Sequence, residues 1–132
     1  MPNSTQHKQK AEHNRQFAAI AAAAPGYQDW VAVALFYSAV HLAERLRTVR
    51  PKLQDQHSKD HGGRLSFLLA HHPAIYAEFK ALYDASLVAR YRTAQQFANA
   101  YPGTVVQDKL LGEYYVKIAA YVTAQFAPPP AP

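Results

Sequence analysis

Apolar residues along this chain recur at intervals of three and four, which is the spacing of amphipathic helices rather than strands. Helix breakers are scarce, because the chain has only 5 Gly and four of its 9 Pro lie within the last five residues. We therefore predict an all-α, up-and-down bundle of about five helices formed by residues 1–127, followed by a Pro-rich tail at residues 128–132.

The breakers also place the individual helices, which we predict at residues 5–24, 28–47, 60–71, 73–89 and 104–126. The first 15 residues are polar, so we expect the start of the first helix to fray. The second helix is apolar on most faces, and we expect it and the fifth to be the most buried. Residues 99–103 should form the last turn of the bundle.

Composition narrows the classes of function. The chain has 14 Lys+Arg against 9 Asp+Glu, a formal net charge of +5, and no Cys. Disulfides and a thiol nucleophile are excluded, and the positive charge favours an anionic partner such as RNA or a nucleotide. Residues 1–15 lack the apolar stretch of a signal peptide, and no apolar run reaches the roughly 18 residues of a membrane span, so we expect a soluble cytoplasmic protein.

The common catalytic motifs are missing, including a Gly-rich phosphate loop, a nucleophile elbow and a His-Glu-x-x-His metal motif. The remaining chemistry lies in His, Arg and Tyr residues between Tyr37 and Tyr91. His41 follows Tyr37 by one turn of the most apolar helix. Taken alone, an imidazole there is better explained as a hydrogen-bonded core side chain.

A second group lies around the start of the third predicted helix. His57 and His61 are four residues apart, Arg64 follows three later and His71 seven after that, so a helix would align all four. Such a stripe suits a phosphate site in which Arg holds the anion and His acts as acid, base or donor. The alternatives are a solvated loop and, ranked third, a metal site built on His57 and His61. We predict no metal and no cofactor.

A third group is the run Arg90-Tyr91-Arg92 at the end of the fourth predicted helix. A cation, an aromatic ring and another cation suit stacking on bases combined with contact to phosphate. Basic residues near a helix C-terminus also complement the helix dipole without any ligand. For this segment alone, the dipole explanation is the simpler one.

Together these groups form a pattern over residues 29–91, consisting of Trp30, Tyr37 and His41 on one helix, His57-Ser-Lys-Asp-His61 with Arg64, and Tyr83-Asp-x-Ser86 leading to Arg90-Tyr91. The pattern resembles small bacterial members of the HEPN superfamily, the nucleotide-binding domains of higher eukaryotes and prokaryotes. The resemblance implies a four- or five-helix bundle, often dimeric. For many members it implies metal-independent RNA cleavage in toxin-antitoxin or phage-defence systems.

The ribonuclease motif of that superfamily is an Arg followed after four to six residues by a His, usually with a polar residue directly after the Arg. Arg64 and His71 have this spacing, but Leu65 occupies the polar position. Arg50 and His57 also have it, but Pro51 follows the Arg. Neither pair is a full match to the motif.

We therefore expect an RNA- or nucleotide-binding domain with Arg64, His61, His71 and His41 as candidate catalytic residues and Arg90, Tyr91, Tyr37 and His57 as phosphate or nucleic-acid contacts. His41, His61, Arg64 and Arg90 should then approach one another. Expected partners are a second copy of the chain and an antitoxin or nucleotidyltransferase. The alternatives are a non-catalytic interaction module, in which the His and Arg residues fix helix packing, and a nucleotide sensor.

Overall fold

The computed structural model describes residues 2–50 and 60–128, and within these ranges every regular element is helical. The prediction of an all-α bundle is confirmed. Five helices are α1 (Ser4–Ala23), α2 (Gln28–Arg47), α3 (His61–His71), α4 (Tyr76–Tyr91) and α5 (Ala94–Ala100). The last, α6 (residues 103–125), begins as Gly103–Val105, widens into the π-helical Val106–Tyr115 and ends as Val116–Gln125. Residues 129–132 of the predicted tail lie outside the described ranges.

Local signals explain where α1 begins and ends. Asn3 accepts a hydrogen bond from the backbone N–H of Gln6 at 2.9 Å, and the Gln6 side chain accepts one from the Asn3 backbone N–H, also at 2.9 Å. Gly26, with φ 83°, makes the turn into α2 in the left-handed region that glycine adopts without strain. The expected fraying of residues 1–15 stays a prediction.

Helix α2 is the centre of the bundle. Most of its side chains are buried, and it contacts α1 on one side and α3, α4, α5 and α6 on the others. The expectation of deep burial therefore holds for α2. It does not hold equally for α6, which buries a single row of five residues, Val106, Leu110, Tyr115, Ile118 and Val122.

Two features of the C-terminal third differ from the predicted helices. The short helix α5 is inserted between α4 and α6, and it starts with a capping box in which Thr93 and Gln96 bond each other's backbone N–H groups. Its Phe97 is buried and stacks on Tyr101 with ring centroids 5.2 Å apart. In the π-helical turn, a Cβ on Gly112 would lie 2.9 Å from the carbonyl oxygen of Gln107, so glycine is required there. Among the described residues, no helix combines the length and the apolar character needed to cross a membrane.

Candidate functional site

The start of α3 places His61 and Arg64 next to each other. Asp60 caps the helix by accepting a hydrogen bond from the Gly63 backbone N–H at 2.7 Å. One helical turn later, Arg64 Nη1 lies 2.7 Å from His61 Nδ1, and Arg64 Nε donates to Glu44 Oε1 on α2 at 2.9 Å. The Glu44 side chain is only 3% exposed. Arg64 is therefore held in position by a buried carboxylate on α2.

The His61 ring lies among aromatic side chains of α2 and α4. Its centroid is 5.0 Å from that of Phe36, 5.4 Å from that of Tyr83 and 6.3 Å from that of Tyr37. Burial lowers the pKa of His61 below its ordinary 6.5, the positive charges of Arg64 and Arg90 lower this pKa further, and Asp60 opposes them. His61 is therefore neutral at pH 7. With Nδ1 accepting from Arg64, its Nε2 carries the proton.

Arg90 joins this group from the end of α4. Its Nε donates to the Ser86 carbonyl, its Nη2 to Ser86 Oγ and its Nη1 to the Tyr37 hydroxyl, each at 3.3 Å. The guanidinium carbon also lies 5.8 Å from the ring centroids of Phe36 and Tyr37. We refer to His61, Arg64 and Arg90 as the His–Arg cluster.

Arg90 keeps donors available for a ligand. A guanidinium has five N–H groups in a planar fork, and three of those on Arg90 are used. Within residues 2–50 and 60–128 the two remaining N–H groups, one on each terminal nitrogen, have no acceptor, and no carboxylate lies within ion-pair distance. The side chain borders a cavity of about 180 Å³ that is also lined by Asp29, Trp30, Val33 and Ala89. An oxyanion is the ligand that such available guanidinium donors fit.

Of the four residues expected to converge, the structure brings His61, Arg64 and Arg90 together and places His41 elsewhere. His41 Nδ1 lies 3.0 Å from Nδ1 of His7, a buried residue of α1, so His41 belongs to the contact between α1 and α2. Tyr37 connects the two regions, because it bonds Arg90 and also lines, with His41, the groove between α1 and α2.

The other candidates are not part of the cluster or lie outside the structure's description. His71 is the exposed last residue of α3 and packs on Phe67 at 5.3 Å. Ten helical residues separate it from His61, which corresponds to about 15 Å along the axis. α3 begins at His61, and His57 lies outside the described residues, so its place in the predicted stripe stays a prediction. Tyr91 is 73% exposed, with its ring 5.3 Å from the Arg90 guanidinium carbon.

Sequence reasoning missed several buried polar residues, among them Glu44 and His72. Glu44 lies three residues before Arg47 at the end of the apolar stretch of α2, and that i, i+3 spacing of opposite charges was the available signal. His72 is 5% exposed and its Nδ1 lies 2.8 Å from the Tyr121 hydroxyl, which ties the end of α3 to α6. Its Nε2 is buried without a hydrogen-bond partner among the described residues, and burial, followed by the charges of Arg50 and His71, lowers the pKa of His72.

Two further searches, for a metal site among the described residues and for similar proteins, found nothing. The described residues contain no group of three His, Asp or Glu side chains arranged to hold a metal ion. Compared with models of protein families, with curated proteins and with solved structures, the chain matches none. The conclusions about function therefore depend on the chemistry of the cluster.

Proposed function

We propose that this protein is a HEPN-like domain that binds RNA, or a nucleotide, through a phosphate held by Arg90. The observation that carries the proposal is the unused pair of N–H donors on Arg90, directed from a partly exposed guanidinium beside an open cavity. A phosphate oxygen pair is the acceptor that this planar fork matches best. The net charge of +5 supports an anionic partner.

Arg92 provides a matched control for the test. It lies two residues after Arg90 and is exposed, and its side chain makes no hydrogen bond or ion pair with the described residues. We expect Arg90→Ala to weaken binding of a fluorescently labelled RNA roughly tenfold or more, the scale of losing charge-assisted hydrogen bonds. Arg92→Ala should change the dissociation constant less than about threefold, because it removes only an exposed charge.

Arg90→Lys separates charge from geometry, since it keeps the charge and loses the fork. Its dissociation constant should lie closer to that of Arg90→Ala than to the wild type. Far-UV circular dichroism checks that the variants fold. Equal effects of Arg90→Ala and Arg92→Ala would contradict a specific phosphate site, and a wild-type protein that binds neither RNA nor nucleotides at near-physiological salt would leave the interaction module as the function.

Metal-independent RNA cleavage is a second candidate activity, favoured by a neutral imidazole next to two guanidinium groups. In this mechanism Arg64 moves from His61 Nδ1 to the phosphate, and the freed Nδ1 accepts the proton of the ribose 2′-OH as the 2′-oxygen attacks phosphorus. The imidazolium formed in this way then gives a proton to the departing 5′-oxygen, while Arg64 and Arg90 stabilise the charged phosphate. Cleavage should persist in EDTA, and Arg64→Ala should lower its rate roughly a hundredfold. Full activity of both Arg64→Ala and His61→Ala would contradict this assignment.

The resemblance to the HEPN superfamily would also place the protein in a toxin-antitoxin or phage-defence system, as a homodimer acting with an antitoxin or a nucleotidyltransferase. We keep these partners as part of the proposal. Sedimentation analysis of the purified protein tests the homodimer directly. A monomer at all accessible concentrations would contradict it.

A further inference from the structure

A groove runs between α1 and α2 next to the phosphate site proposed above. It has a volume of about 390 Å³, which lies within the range of small-ligand sites. We call it the α1–α2 groove, lined by Lys10, His13, Asn14, Phe17, Trp30, Val33, Ala34, Tyr37 and His41. Its floor is apolar and aromatic, whereas its α1 rim is polar.

The groove is continuous with the surface around Arg90. Trp30 and Val33 line both the groove and the cavity beside Arg90. Tyr37 lines the groove with its side chain and accepts a hydrogen bond from Arg90 at 3.3 Å. A ligand bound to Arg90 through a phosphate therefore has its adjoining group directed to the mouth of the groove.

Two ring systems in the groove are open to a ligand. Trp30 is 52% exposed and Phe17 is 48% exposed, although both are large apolar side chains that a packed core would cover. Exposed aromatic rings next to cationic side chains are the usual platform for unpaired bases. The rim supplies the ammonium group of Lys10, and no carboxylate is among the groove's lining residues, so the groove itself favours an anionic polynucleotide. Asp29 lines the adjoining cavity beside Arg90.

We propose that the α1–α2 groove is a base-binding subsite, in which an unpaired base of single-stranded RNA stacks on Trp30 while the neighbouring phosphate lies on Arg90. The inference depends on the proposed function and makes it more specific. A base inside a duplex has both faces covered by its neighbours, so it cannot stack on a protein ring. The preferred substrate is therefore single-stranded.

Trp30 itself is the probe for this subsite, because it is the only Trp in the chain. Titration with single-stranded oligouridylate should quench the intrinsic fluorescence, and the midpoint should coincide with the one measured by anisotropy of the labelled oligonucleotide. The same concentration of an RNA duplex should produce little quenching. We expect Trp30→Ala to weaken anisotropy-detected binding roughly fivefold to a hundredfold, the range for losing one stacked base.

Tyr27 supplies the matched control. It is an aromatic residue with 55% exposure three positions before Trp30. It lines a neighbouring apolar cavity on the other side of Phe17 and Trp30 but not the α1–α2 groove, so Tyr27→Ala tests which of the two cavities holds the base. Tyr27→Ala should change the dissociation constant less than about twofold. Trp30→Phe keeps a ring in place and should restore most of the affinity lost in Trp30→Ala. Because Trp30 is half-exposed, its replacement should leave the fold intact, which circular dichroism verifies.

The outcomes separate this inference from the proposed function. RNA binding without quenching, and with Trp30→Ala equal to the wild type, overturns the base subsite and leaves the Arg90 phosphate site standing. Loss of RNA binding in the wild type overturns both. A fluorescence change that follows protein concentration in the absence of RNA shows a second copy covering the groove, and it also overturns the subsite.

Discussion

Replacing Glu44 by Gln would remove a buried negative charge that lies between two guanidinium groups. Glu44 Oε1 is 2.9 Å from Arg64 Nε, and Glu44 Oε2 is 3.6 Å from Arg47 Nε. The exposed fraction of the side chain is 3% for Glu44, 13% for Arg64 and 11% for Arg47. Water therefore screens the attraction between these charges poorly. The substitution keeps the shape and one hydrogen-bond acceptor, and it changes mainly the charge.

The expected magnitude follows from these distances. Two unit charges about 4 Å apart interact by about 4 kcal/mol at an effective dielectric constant near 20. Removing one partner of a fully buried pair costs about 3–5 kcal/mol, because the other charge stays buried. The amide oxygen still accepts the Arg64 N–H and some water reaches Arg64, so we expect Glu44→Gln to lower the free energy of unfolding by about 2–4 kcal/mol.

The control is the pair formed by Lys80 and Asp84, which are 2.9 Å apart and each 47% exposed. An exposed pair of this kind is screened by water and contributes little to stability, so Asp84→Asn should unfold nearly like the wild type. Urea unfolding followed by circular dichroism measures both variants. Comparable losses for the two variants would refute the reasoning.

A double variant tests the coupling itself. Glu44→Gln with Arg64→Gln leaves two neutral, hydrogen-bonding amides where the ion pair was. Its loss should be smaller than the sum of the two single losses by about 1 kcal/mol or more, since Glu44→Gln leaves the Arg64 charge without its carboxylate and Arg64→Gln takes one of the two guanidinium groups from Glu44. Strict additivity would show that Glu44 does not hold Arg64 through charge.

Two further predictions concern α6 and its contact with α3. Gly112→Ala should destabilise the protein by about 1–3 kcal/mol, because the new Cβ would lie 2.9 Å from a backbone oxygen, whereas Gly103→Ala, with nothing within 4 Å, should be neutral or slightly stabilising. Equal urea midpoints for the two variants would contradict the tight packing of the π-helical turn. The pKa of His72 is lowered in the folded state, so its contribution to stability is complete above its ordinary pKa of 6.5 and is lost as pH falls below it, by at most about 1.4 kcal/mol per pH unit. His72→Gln should flatten the decline in the free energy of unfolding between pH 7 and pH 5, and an unchanged slope would show that the buried imidazole does not titrate with folding.

The helical architecture could be predicted from the sequence because helix breakers and apolar spacing are features of neighbouring residues. Breakers at Pro25 and Gly26 and the apolar period of the central segment predict α2 at its observed bounds, Gln28–Arg47. Helix α5 was missed because it is only seven residues long. The sequence does contain its capping box, formed by Thr93 and Gln96. Seven residues are nevertheless too few for a repeating apolar pattern that would identify a separate helix.

The partners of the candidate residues were less predictable, because they depend on how helices rotate against each other. Arg64 is paired with Glu44, twenty positions earlier, and nothing in the spacing of either residue indicates that contact. His41 is paired with His7, a residue in the polar first stretch that gave little sign of a buried face. The sequence identified residue types capable of phosphate chemistry, and packing decided which of them meet.

Tyr37 and His41 show why spacing alone misplaces part of the site. They are one turn apart on α2 and line the same groove, so a helical pattern assigns them to one face. The Tyr37 hydroxyl nevertheless extends to Arg90 on α4, whereas the imidazole of His41 contacts His7 on α1. Two residues one turn apart on α2 therefore contact different helices, Tyr37 the α4 residue of the His–Arg cluster and His41 a residue of α1. The Tyr37 hydroxyl therefore connects the proposed phosphate site at Arg90 to the α1–α2 groove. Tyr37→Phe removes this hydrogen bond and keeps the ring in the floor of the groove, so it should weaken the connection between the phosphate site and the groove without changing the groove's floor.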